Sequence, residues 1–228
     1  MTTTVHPPVS TTAAAPARAW APTVGAIFAV AAPLALAAAI ALHPLDSSNA
    51  AESLARVADV DRARWATIHL LEPAAWLLVS LVLVAASRLG DGPGRSLIRA
   101  GGVLGAIGAA STALIVYAHG EAILFMTRNG MDRAAMESLY SHYHDAMPLA
   151  GPLGLTLHLG LFLLGVGLYR TRAVPRWASV ALAVVPFTLM ATGAAPAVIT
   201  ALVGAGPLVV GLAGAARAIG SITVRRRA

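Results

Sequence analysis

Two ionisable residues three positions apart, His69 and Glu72, interrupt an otherwise apolar stretch that reads WATIHLLEPAAWLLVSLVLVAASR from Trp65 to Arg88. On a helix this spacing puts the imidazole and the carboxylate on one face, and Trp65 and Trp76 complete the same stripe. Such groups are costly inside a membrane segment, so they face a bundle interior or a wet cavity. Imidazole nitrogens with a carboxylate oxygen suit zinc or another first-row divalent ion, and an open position on that ion activates water for hydrolysis.

Other histidines reach the same end of the molecule. At 1.5 Å per helical residue, His69 lies about 28 Å beyond Arg88, and His119 about 30 Å beyond Arg99. His158 lies about 18 Å from Arg170, nearer mid-membrane. His142, His144 and Asp145 sit on the polar connection above them, as an outer lid. The expected metal set is therefore His69, Glu72, His119 and His158. His43 opens another outer loop, whereas His6 sits in the N-terminal tail.

Two other readings use the same residues. In one, the polar groups only hydrogen-bond between helices, and the protein is a membrane scaffold or partner subunit. In the other, two histidines are the axial ligands of a haem b electron carrier. Neighbouring helices pack about 8–10 Å apart, which is too close to seat a porphyrin between His69 and His119. No HExxH, GxSxG or P-loop motif is present. The carboxylate–histidine signature of di-iron bundles needs two ExxH segments, and here there is one reversed pair. With no Cys, thiolate ligands and nucleophiles are excluded. Neither a catalytic residue nor a substrate is assigned. No charge lies deep enough towards the opposite end to continue a transport path.

The elements that must position these groups are membrane helices. Hydrophobic residues make up 57% of the 228 and charged residues 11%, against about 25% charged in a soluble domain. The apolar residues fall in blocks of about 20, the span of a hydrocarbon core. The expected fold is an all-α, polytopic integral membrane protein, a bundle of six transmembrane helices at about 20–42, 65–86, 97–119, 148–169, 177–192 and 196–216. The third apolar pattern continues to about 127, too long for one straight crossing, so it tilts, breaks at Gly120 or projects beyond the bilayer. Pro73 should kink the second helix just after Glu72. Residues 1–19 read as a disordered tail. Residues 43–64 read as a polar loop with a short amphipathic helix, and 217–228 as a basic C-terminal tail.

The first block ends in small residues that would suit signal-peptide cleavage, but its apolar core exceeds the usual signal length, which favours a retained helix. Gly101 and Gly105 form a GxxxG pair, extended by Gly108 and Thr112, that admits a close helix. Gly- and Ala-rich faces also suit a homo-oligomer or a membrane partner. The pI of 11.0 does not signal nucleic acid, because the arginines sit between apolar blocks. Eleven of the 16 fall on one side of a six-crossing arrangement and five on the other, which places both termini in the cytoplasm. The absence of Lys beside abundant Ala and Gly points to a GC-rich genome, and so to a bacterial inner membrane.

Overall fold

The computed structural model describes residues 21–43, 62–146, 150–192 and 195–225. The N-terminal tail, the segment before Arg62, Arg226 and Arg227 lie outside the described residues. Lipid offers no hydrogen-bond partner to a peptide group, so apolar runs of this length satisfy their backbone as helices. The helices are α1 (Ala21–Leu42), α2 (Arg62–Ala86), α3 (Arg95–Arg128), α4 (Arg133–Ala146), α5 (Ala150–Thr171), α6 (Arg176–Thr192), α7 (Ala197–Ile199) and α8 (Gly206–Arg225). A π-helical segment, Thr200–Ala205, joins α7 to α8. There is no strand among the described residues.

Five stretches are long and apolar enough to cross a membrane: Val24–Leu42, Ala63–Ala86, Arg95–Arg128, Gly151–Thr171 and Ala197–Gly220. They mark a multi-pass membrane protein. The sixth expected span, α6, is apolar but has 17 residues, about 26 Å of helix.

The membrane helices close a ring in the order α1, α2, α3, α5, α6, α8 and back to α1. The interior is filled by Leu36, Val79, Leu83, Ile98, Leu161 and Leu182, among others. The tightest seam joins α3 to α5. A Cβ on Gly101 would stand 2.7 Å from the Gly160 carbonyl oxygen and 2.8 Å from Leu164 Cα. Gly105 and Gly108 meet Gly160 and Leu157 in the same antiparallel register. The glycine face of α3 is thus occupied within the chain by α5.

On its other side α3 runs antiparallel to α2. Gly102 meets Leu83 and Ser87, the Ser80 hydroxyl donates to the Ala106 carbonyl at 2.9 Å, and Gly120 meets His69. Both α2 and α3 are unbroken, through Pro73 in the first and Gly120 in the second. At 34 residues, α3 is about 51 Å long and projects beyond a hydrocarbon core of about 30 Å.

A Schellman turn ends it. Gly130 takes φ 62°, and the Met131 N–H reaches back to the Met126 carbonyl at 3.3 Å. Asp132 then caps α4, accepting the N–H groups of Ala134 and Ala135 at 2.8 and 3.3 Å. The connection expected here is therefore mostly helix. Met136 of α4 packs on the cluster of Trp65, Ile123, Leu124 and Met126.

α6 lies antiparallel to both its neighbours. Phe162 meets Phe187 edge-on at 6.0 Å on the α5 side. On the other side Gly214 packs on Trp177, Gly211 on Leu182 and Gly204 on Thr192. Thr188 donates to the Gly204 carbonyl at 3.1 Å, inside the π segment, where the ordinary helical ladder is broken. Thr200 donates to the Thr192 carbonyl at 2.7 Å. α8 continues to Arg225, past the end near 216 expected from the sequence.

Candidate functional site

The helical stripe on α2 faces inward along its whole length. Trp65, His69, Glu72 and Trp76 are all buried, Glu72 with 8% of its surface exposed. Two apolar turns of α2 and the adjoining face of α3 therefore enclose a carboxyl group that the sequence places far from any basic side chain.

Most of the geometry centres on His69. Its ring stacks on the Trp65 indole, with centroids 3.9 Å apart and planes 28° from parallel. Its Nδ1 lies 3.0 Å from the Trp65 carbonyl, one turn back along α2. That contact makes Nδ1 the protonated nitrogen of a neutral ring and leaves Nε2 as the acceptor. The opposite face of the ring lies on Gly120, where a side chain would overlap the imidazole. Trp65 Nε1–H also crosses the seam and donates to the Gly120 carbonyl at 3.2 Å. One glycine of α3 thus receives both aromatic residues of α2.

The third helix reaches the site through His43, the residue after α1. Its ring lies 5.0 Å from that of His69 and 6.2 Å from the indole of Trp65. Its Nε2 is 3.8 Å from Glu72 Oε2. The Leu42 carbonyl just before it accepts a long, 3.5 Å bond from Arg64. Among the described residues, Glu72 Oε2 and Trp76 Nε1 are buried with no hydrogen-bond partner. Pro73 brings one more polar group to this level. It has no N–H to offer the carbonyl four residues back, which belongs to His69.

The other expected residues lie elsewhere. His119 is half-buried beside Gly120, and it is Gly120 that takes the contact with His69. His158 bonds through Nδ1 to its own helix, at the Gly154 carbonyl, 2.8 Å away. The register of Gly108 on Leu157 sets His158 level with residues 107–108 of α3, about 18 Å along the axis from Gly120. His142 is exposed on α4, with Nδ1 2.7 Å from the Ser138 carbonyl. The backbones of His144 and Asp145 belong to α4, and their side chains lie outside the described residues. No three His, Asp or Glu side chains among the described residues are grouped so as to hold a metal ion.

The residue absent from the expected set is His43. Its signal was its place: one residue past the first apolar block, it emerges on the side where α2 begins. Gly120 was read as a breaking point, whereas it is the socket for His69.

The sequence matches no protein-family model, no curated protein and no solved structure.

Proposed function

We propose that this chain is a six-crossing membrane scaffold or partner subunit, both termini on the arginine-rich side, whose outer end is closed by a polar–aromatic clasp joining α1, α2 and α3. The observation that carries this reading is the double engagement of Gly120. Its carbonyl accepts the Trp65 indole N–H, and its missing side chain makes room for His69. Both imidazole faces and one ring nitrogen are thereby used in holding helices together, which is how polar groups act between membrane helices. The His69–Gly120 contact also leaves no porphyrin-wide gap in that seam.

A second reading is supported by the unpartnered Glu72 Oε2 facing His43 Nε2 at 3.8 Å. Two imidazoles and a carboxylate are a donor set for a divalent transition metal, and a backbone bond to Nδ1 is the usual support of a ligating histidine. His43 precedes the loop to α2, so rotation about its side chain brings it towards the other two. In this reading His43 replaces the more distant His158.

One experiment separates them. The protein is purified without chelator and its metal content measured, alongside the melting temperatures of His43→Ala, His69→Ala and Trp65→Phe. The clasp predicts no stoichiometric metal and lower melting for Trp65→Phe, which keeps the ring but loses the N–H. Stoichiometric Zn, Mn, Fe or Cu, lost in both histidine variants, would establish the metal site instead.

A further inference from the structure

The exposed face of α6 is flanked by two apolar grooves. On one side Trp177, Val180 and Val184 face Leu202, Pro207 and Val210 across a groove of about 630 Å³. On the other, Gly165 and Tyr169 of α5 face Ser179 and Ala183 across one of about 240 Å³. Val180 and Val184 line both, so the grooves run side by side along a single ridge.

Both open at the same cationic end. Arg176 directly precedes Trp177, and its guanidinium lies 5.5 Å above the Tyr169 ring, at the mouth of the smaller groove. Trp177 packs on Gly214 at the mouth of the larger one, which brings Arg217, one turn further along α8, to the same level. Arg170, Arg172, Arg176 and Arg217 are all exposed. From residue 146 to the end the chain holds seven Arg and no Asp or Glu, so these arginines have no acidic partner on the helices that carry them.

We propose that this face binds one anionic two-chain phospholipid, its acyl chains on either side of the Val180–Val184 ridge and its phosphate on Arg176 and Arg217. The grooves supply apolar walls for hydrocarbon, and the arginines supply forked donors for phosphate oxygens. Stacking on Tyr169 holds the Arg176 fork in place while its edge stays open to a ligand. Basic sites between membrane helices recognise anionic headgroups by this chemistry. A zwitterionic lipid fits the same grooves but carries its own cation beside the phosphate.

The test is native mass spectrometry of the full chain in detergent, titrated with phosphatidylglycerol or phosphatidylcholine of identical acyl composition. One phosphatidylglycerol should be retained per chain under activation that strips phosphatidylcholine. Arg176→Gln with Arg217→Gln should weaken that adduct about tenfold, the loss of one charge-assisted contact. Val180→Trp should weaken both lipids by obstructing the grooves. Equal retention of the two lipids, several equivalent phosphatidylglycerol adducts, or an adduct unchanged by the arginine pair and by Val180→Trp would overturn the proposal.

Discussion

The Cβ that Gly120 lacks would lie 2.5 Å from Cγ of His69 and 3.0 Å from its Cβ. Gly120→Ala therefore forces α3 away from α2 or the imidazole off Trp65. The expected cost is about 1–3 kcal/mol, that of overpacking a filled site. His69→Ala in the same chain should recover part of that loss, since the collision needs both groups. Denaturation of the two single variants and the double variant, read as a cycle, measures the coupling. Additive losses would show that Gly120 and His69 do not share a site.

His43 and Glu72 form the contact between the end of α1 and the middle of the α2 stripe, at 3.8 Å with side chains 17% and 10% exposed. His43→Ala removes the cation facing a buried carboxylate and should destabilise by about 1–3 kcal/mol. Glu72→Gln should cost less, because the amide carries no charge to bury. In the double variant the two losses should fall short of their sum. The melting temperatures of the three proteins in one detergent decide the point.

Two glycines give opposite expectations. Gly101 sits against the α5 backbone, so Gly101→Val should separate α3 from α5 and sharply reduce the yield of folded protein. Gly151, at the start of α5, has nothing within 4 Å of the position its Cβ would take. Gly151→Ala should stabilise by about 0.4–1 kcal/mol, through the unfolded chain. Both are checked by thermal melting after size-exclusion chromatography.

The sixth crossing can be tested directly, because the chain has no cysteine of its own. Single cysteines are introduced at Asp91, Asn129, Pro175 and Ala195. If α6 crosses, a membrane-impermeant maleimide applied to intact cells labels Asn129→Cys and Ala195→Cys and spares the other two. Matching behaviour of Pro175→Cys and Ala195→Cys would place α6 along one surface, with five crossings.

The helices themselves were legible because their cause is local. A run of apolar residues as long as a bilayer is thick has one way to satisfy its peptide groups. The inward stripe of Trp65, His69, Glu72 and Trp76 was legible for the same kind of reason, since helical period alone puts the four together. The partners of that stripe were not. His43 is 26 residues from His69, and Gly120 is 51, so both contacts depend on helix register rather than spacing. Counting depth from the arginines set His119 level with His69 but could not say which face of α3 looks at α2. Gly120 looks there, and His119 is its neighbour in sequence. The segment around Met136 read as a loop because it is polar, yet one capping aspartate and one apolar anchor suffice to fold it as a helix.

α3 is a stiff rod that passes through the ring and stands clear of it, with the clasp bolted to its free end. Sideways force on that end turns the whole rod, and the Gly- and Arg-rich loop at its foot swings the opposite way. The seam with α5, backbone against backbone at Gly101 and Gly105, is the fulcrum. A mechanical strain entering at the tryptophan–histidine stack is thus delivered to the far side of the bilayer without any change in secondary structure.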